Sequence, residues 1–294
     1  MTSLRVLPCL DSDAMAEACR RDLDIAREVA AELGHSAVAA SDRGSYTTST
    51  GRVVDWRDAV ARACVAKRSI PPDARLYGGE APTFAVTEVQ VTNETTLGAA
   101  RRLVASGKRP LALNFANGVR AGGGFLAGAR AQEEFLCRSS ALHRTLADDP
   151  MYAEHRKRPL PDSTDWAILS PDVPVFRGED GRALEEPWLL DFITCAAPVA
   201  PRVGLARARS ILRHRIDRML AIARSSGYTT LVLGAWGCGA FGNDPGRTAT
   251  DFRDALEHRF SGVFSQVVFA ITDWSPERRF LGPFRDVFPA DDSR

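Results

Sequence analysis

Leu111 to Phe115 is an almost wholly apolar run that leads, through Ala116 and Asn117, into three successive glycines, Gly122, Gly123 and Gly124. A short continuous run of this kind reads as a strand buried on both faces, which requires helices on both sides of a sheet. The flanking pattern agrees. Further strands are expected at 87–91, 165–169, 189–196, 231–235 and 266–272, and helices at 93–106 (capped by Asn93), 132–146, 203–225 and 245–260. Strand and helix alternate, so the fold class is α/β with a mainly parallel or mixed sheet covered by helices. The first 85 residues read differently. An amphipathic helix is expected over 11–33, with Asp11 and Ser12 as N-caps and Gly34 as its stop. A hairpin follows over 45–56 about Ser49-Thr50-Gly51, then a helix over 56–66 broken by Ile70-Pro71-Pro72. The expected division is an N-terminal helical accessory region, 1–85, and a main domain, 86–294, joined near Gly78-Gly79 and Pro82.

Charge and cysteine usage narrow the function classes. A formal net charge of +1 over 294 residues gives no global electrostatic case for a stable nucleic-acid partner or an acidic membrane. The six cysteines are scattered without a C-x-x-C pair, and the five histidines show no metal-ligand spacing. This reads as a reduced set with neither a disulfide framework nor a metal site. The first apolar stretch is short and meets Asp11 and Asp13, unlike a signal peptide. The longest uncharged run, 225–243, contains five glycines and reads as strand plus loop, not a membrane span. A cytoplasmic protein is expected.

The chemistry lies in two segments. Gly122-Gly123-Gly124 is followed seven residues later by Gln132-Glu133-Glu134. Consecutive glycines let several backbone N–H groups converge, a natural cradle for phosphate oxygens, and they follow a strand end, where α/β sheets bind ligands. Acidic residues at a helix start are also favoured by the helix dipole, which accounts for one carboxylate but not for two just beyond a glycine cradle. A carboxylate pair there can protonate a leaving group and stabilise a cationic sugar, so the expected ligand is a phosphorylated sugar and the expected reaction glycosidic cleavage. Successive helical residues point about 100° apart, so the two carboxylates take different jobs. Asn117 suits sugar hydroxyls, although Asn before Gly is also ordinary turn chemistry.

The second segment, Gly234 to Pro245, follows an apolar strand. Its Gly237, Gly239 and Gly242 satisfy G-x-G-x-x-G, but a dinucleotide site is disfavoured. Only about fifty residues follow, too few for the usual sheet, and the next strand's acidic residue, Asp273, comes 31 positions after Gly242 instead of about 20. Two glycine loops fit better as two jaws on one diphosphate. Cys238 reads as a small buried residue, not a nucleophile. The arginines of the 203–225 helix, Arg207, Arg209, Arg213, Arg215, Arg218 and Arg224, read as a solvated face.

The stretch Leu113-Asn114-Phe115-Ala116-Asn117, Gly122-Gly123-Gly124-Phe125-Leu126, Gly128-Ala129 and Gln132-Glu133-Glu134 resembles the signature of poly(ADP-ribose) glycohydrolases (PARG), specifically the microbial branch. Ser170 to Arg177, Ala196-Ala197-Pro198 and Gly234 to Pro245 resemble later motifs of that branch in the same order, so the resemblance spans nearly the whole chain. It implies a macrodomain fold, with a mixed, mostly parallel sheet between helices, and hydrolysis of ribose–ribose O-glycosidic bonds of poly(ADP-ribose) to release ADP-ribose, without metal or organic cofactor. By position, it implies Glu134 as the catalytic acid and Glu133 as its ribose-binding partner. Asn117, Gln132, Gly122, Gly123 and Gly124 would bind substrate, with Gly237, Cys238, Gly239, Ala240, Phe241, Gly242 and Asn243 closing over the diphosphate and adjoining ribose. Animal relatives carry an aspartate where this chain has Asn114, and their tyrosine-bearing clasp is not matched here. These departures fit the microbial branch and its preference for chain ends. Two rival readings share the fold: a hydrolase acting on mono-ADP-ribosylated protein or DNA, and a macrodomain that only binds ADP-ribose.

Overall fold

The computed structural model describes residues 3–76 and 83–291, so the expected join at Gly78, Gly79 and Pro82 lies outside the described residues. Its strands are β1 (Ser3–Val6), β2 (Ser45–Thr47), β3 (Val53–Asp55), β4 (Arg68–Ile70), β5 (Val86–Thr92), β6 (Pro110–Ala116), β7 (Ala167–Arg177), β8 (Ala183–Ala196), β9 (Thr230–Leu233) and β10 (Gln266–Ala270). Eight of them form one sheet in the order β1-β5-β10-β9-β6-β8-β7-β4. Every pairing from β1 across to β8 is parallel, while β8–β7 and β7–β4 are antiparallel. The mixed, mostly parallel sheet is as expected. β2 and β3 pair separately as the expected hairpin.

The first helices are α1 (Asp13–Leu23), α2 (Arg27–Arg43), α3 (Arg57–Ala66), α4 (Thr96–Ala105), α5 (Gln132–Ser139), α6 (Leu142–Leu146) and α7 (Pro150–Arg156); then come α8 (Ala200–Val203), α9 (Leu205–Ser225), α10 (Pro245–Asp254) and α11 (Leu281–Val287). They divide between the faces because neighbouring strand residues point to opposite sides. Leu111 and Leu113 of β6 join Leu231, Phe269, Ile216, Phe252 and Phe284 in a core under α9, α10 and α11. Ala112 joins Val232, Phe192, Ala40, Val60, Leu97 and Leu136 in a second core under α2 to α6. Each fully buried large side chain contributes about 1.5–3 kcal/mol, so these two cores hold the central strands in place.

Several element boundaries differ from the sequence expectation: the strand expected over 165–169 is β7 and runs on to Arg177, the helix expected over 203–225 is split at Gly204 into α8 and α9, and three others differ for a clear local reason. The helix expected over 11–33 is two: α1 starts at Ser12, whose side chain caps Met15 N–H, and ends before 24–26, after which α2 runs through Gly34 to Gly44. Gly34 does not stop the helix; a Cβ there would lie 2.8 Å from the carbonyl oxygen of Phe125, so the glycine lets α2 lie directly on the first glycine loop. The stop is Gly44, in the left-handed conformation at φ 74°. The helix expected over 132–146 breaks at Ser140, which bridges to Val175, leaving α5 and α6. Thr95, not Asn93, caps α4, accepting from Gly98 N–H. Asn93 instead donates to Asp11 and to the Asp273 carbonyl. The first 76 residues also supply strands that were not expected: β1 and β4 are the two edges of the main sheet.

Candidate active site

The carboxyl ends of β5, β6, β9 and β10 open into one cleft of about 470 Å³. β6 brings Asn117 and, by its register, aligns α5. The Gln132 side chain accepts the Phe115 N–H at 2.9 Å and donates to the Leu113 carbonyl at 2.7 Å and to Thr96 at 3.0 Å. Its amide is thus consumed as a strut between α5 and β6, which fixes where the next two residues point.

Glu133 is 3% exposed and accepts from Asn117 N–H at 2.7 Å, from the Asn114 amide at 3.4 Å and from Gly122 N–H. Burial, with the Glu134 charge adding to it, pushes the Glu133 carboxyl up to about 8, against the pull of those hydrogen bonds. Glu134 is 8% exposed, lines the cleft and accepts Gly124 N–H at 2.9 Å through Oε1. Its Oε2 accepts no hydrogen bond among the described residues. One turn on, Arg138 is 2% exposed, its Nη2 buried without a partner. Burial lowers Arg138 to about 10, and the Glu134 charge opposes that shift.

The first glycine loop differs from the phosphate cradle expected of it. Its three N–H groups are already committed: Gly122 to Glu133, Gly123 to the Arg120 carbonyl and Gly124 to Glu134. Gly123, at φ 58°, has no room for a side chain, since a Cβ would lie 2.3 Å from Glu134 Oε1 and 3.0 Å from Glu133 Oε2. The loop therefore grips the carboxylates, and Gly122, Gly123 and Gly124 do not line the cleft.

The second loop presents free donors. Gly237, Gly239, Ala240 and Phe241 line the cleft, and none of their N–H groups donates a hydrogen bond among the described residues. Cys238 and Asn243 instead hold the loop from behind. The buried Cys238 thiol meets Thr248 and the Trp236 carbonyl, and burial pushes it up to about 12. That is far from a thiolate nucleophile. Asn243 donates to the Pro198 and Gly237 carbonyls, and Gly242 also lies outside the cleft. Asn117 both lines the cleft and makes the ordinary turn, its Oδ1 accepting the Val119 and Arg120 N–H groups.

At the far end of the cleft the family resemblance points only to a region for adenine, the end of the last strand near Ile271 to Asp273, and assigns no residue there. Leu23 from α1, Thr95 and Thr96 after β5, and Trp274 and Phe280 after β10 complete the wall. The signal for Thr95 and Trp274 was their place just beyond strand ends; Leu23 carried none. Ile271 and Thr272 line the cleft, but Asp273 does not. Burial pushes Asp273 up, but hydrogen bonds from Ser275, Leu281 and Phe280 outweigh it and leave the carboxyl below its usual range, pinning the turn that presents Trp274. Arg215, expected on a solvated face, is 4% exposed and binds Asp165 and the Ala196 and Asp162 carbonyls. Among the described residues no group of His, Cys, Asp and Glu is arranged to hold a metal ion, and no helix is long and apolar enough to cross a membrane.

A mostly parallel sheet with a donor-rich glycine loop and a gripped carboxylate pair at its strand ends defines a macrodomain-like protein with a glycosidase-type site. The family model of the microbial-type PARG catalytic domain matches residues 35–178. The chain is 42% identical to poly(ADP-ribose) glycohydrolase from Thermomonospora curvata, solved with the inhibitor ADP-HPD, over 89% of this chain and 100% of that one, with a TM-score of 0.83. It is 38% identical to the poly(ADP-ribose) glycohydrolase from Deinococcus radiodurans in complex with ADP-ribose, over 78% of this chain and 96% of that one, at a TM-score of 0.70. No curated protein matches the chain. The chain belongs to the microbial-type poly(ADP-ribose) glycohydrolase family.

Proposed function

We propose that the protein hydrolyses the ribose–ribose O-glycosidic bonds of poly(ADP-ribose), releasing ADP-ribose, and does so from chain ends. The observation that carries this reading is the pairing of four free N–H groups, on Gly237, Gly239, Ala240 and Phe241, with the Glu133–Glu134 carboxylates across one cleft. The free donors suit a diphosphate, because converging backbone N–H groups favour anions. Burial keeps Glu133 protonated up to about 8, so it can both donate to and accept from the hydroxyls of the adjoining ribose. Asn117 and Phe241 flank the same sugar. Glu134, the less buried of the two, gives its proton to the departing ribose hydroxyl. The oxocarbenium-like ribose left behind is stabilised by the diphosphate and the carboxylate, and water deprotonated by Glu134 completes the hydrolysis. Adenine takes the apolar end at Leu23, Ile271, Trp274 and Phe280, where aromatic faces are available for stacking.

In this reading, residues 1–85 are an accessory region on a macrodomain of 86–294, lending Leu23 to the cleft. The six cysteines, all free, suit a cytoplasmic setting. No stable nucleic-acid partner is required. The test compares ADP-ribose release from defined poly(ADP-ribose), mono-ADP-ribosylated protein and mono-ADP-ribosylated DNA. Polymer should be turned over with a kcat/KM at least about 100-fold above either mono-modified substrate. Preference for a mono-modified substrate would overturn the linkage assignment, and tight ADP-ribose binding without any turnover would make the protein a reader.

A further inference from the structure

Behind the second glycine loop lies another cavity, of about 730 Å³, walled by α9, α10 and the segment before α11. It meets the cleft at two shared residues, Gly239 and Phe280. Three guanidinium groups from three separate elements line it: Arg209, Arg247 and Arg279. None of the three has a side-chain hydrogen bond or an ion pair among the described residues. Arg279 packs on Phe280, 5.3 Å from the ring centroid, and so stands at the boundary between the two spaces. The two carboxylates in the wall are otherwise engaged. Asp244 caps α10 by accepting the Arg247 N–H, and the buried Asp251 faces Arg213 at 4.0 Å. Asp251 also feels the charge of Arg209 without pairing with it.

We propose that this cavity binds a further diphosphate of the same poly(ADP-ribose) chain whose reacting unit occupies the cleft. The inference rests on the polymer reading of the site. Guanidinium forks match phosphate oxygens in geometry as well as charge, and the polymer carries one diphosphate per unit. The cleft's own donors, Gly237, Gly239, Ala240 and Phe241, serve one diphosphate only. Three unpaired cations next to it provide for the next one, and the protein as a whole, at net charge +1, has no general attraction for polyanions that would do this instead.

The test is a combined Arg209→Gln, Arg247→Gln, Arg279→Gln variant of the full chain, measured with ADP-ribose and with poly(ADP-ribose) oligomers of defined length. All three side chains are exposed, so the fold should tolerate the change, and an unfolding midpoint checks this. The KM for oligomers should rise at least about tenfold, with kcat unchanged, ADP-ribose affinity within about twofold and a shallower dependence of KM on salt. Lysine at the same three positions should restore most of the loss. An unchanged oligomer KM, an equal loss for ADP-ribose, or a lysine variant as impaired as the glutamine one would overturn the proposal. Tighter binding of a DNA oligonucleotide with the same number of phosphates than of the oligomer would overturn it in favour of nucleic acid. Wild-type protein that hydrolyses no polymer would instead sink the polymer reading on which the proposal rests.

Discussion

Glu133 and Glu134 are adjacent in sequence and share one glycine loop, yet their surroundings separate them. Glu133 is enclosed and pushed up to about 8, chiefly by burial. That raised value has a consequence for stability. An unfolded glutamate binds its proton only below its ordinary value of 4.5, while the folded one keeps it to about 8. Between those values the native state holds one proton more than the unfolded state. Its stability therefore falls as pH rises, by up to about 1.4 kcal/mol per pH unit from this group alone. Glu133→Gln removes the slope. Denaturant unfolding of both proteins from pH 5 to pH 8 should show the wild type losing ground against the variant at each step; parallel profiles would contradict the assignment. The carboxylate pair and the glycine triplet were legible in the sequence because their residue types carry the chemistry. Which groups they engage was not. Gln132 finds Thr96, 36 residues away, and Asn243 finds Pro198, 45 residues away. Spacing along the chain does not contain such partners: Asn243 and Cys238 hold their loop from behind the cleft, while Gln132 lines the cleft as expected but has its amide engaged between α5 and β6.

At the scale of elements, period and length made the central strands and most helices readable: β6, β9 and β10 are short apolar runs, β5 alternates apolar and polar residues, and the last part of β8, from Leu189, is mostly apolar. The elements that were misread are those decided by tertiary contact. β4 has three residues and only its pairing with β7 makes it a strand. Gly34 looked like a helix stop because glycine usually is one near a helix end. Its role is close approach: α2 rests on the Phe125 carbonyl, and Phe125 follows Gly124, whose N–H holds Glu134. Gly34→Ala puts two effects in opposition. Alanine favours the helix by about 1 kcal/mol, while overpacking costs about 1–3 kcal/mol. A Cβ 2.8 Å from a backbone oxygen cannot be relieved by a side-chain rotation, so the overpacking term wins. The variant should show a lower unfolding midpoint together with a reduced kcat, because the displacement passes to Glu134. A midpoint at or above that of the wild type would show that α2 and the loop are not in firm contact.

At the scale of the whole molecule, the sheet sets what the site can do. The parallel stretch from β1 to β8 places the carboxyl ends of β5, β6, β9 and β10 at one rim, and loops at that rim supply the carboxylates, the free N–H groups and the apolar end of the cleft. The N-terminal residues are part of this arrangement, through β1 and β4 at the sheet edges and Leu23 in the cleft wall. The account as a whole turns on one proton delivered by Glu134 to a ribose hydroxyl of the polymer. The direct measurement is release of ADP-ribose from end-labelled poly(ADP-ribose) by the wild type and by Glu134→Gln, with ADP-ribose binding followed in parallel. Loss of the proton donor should lower turnover by about 100-fold or more while binding stays within a few-fold. Undiminished release by Glu134→Gln would contradict the account.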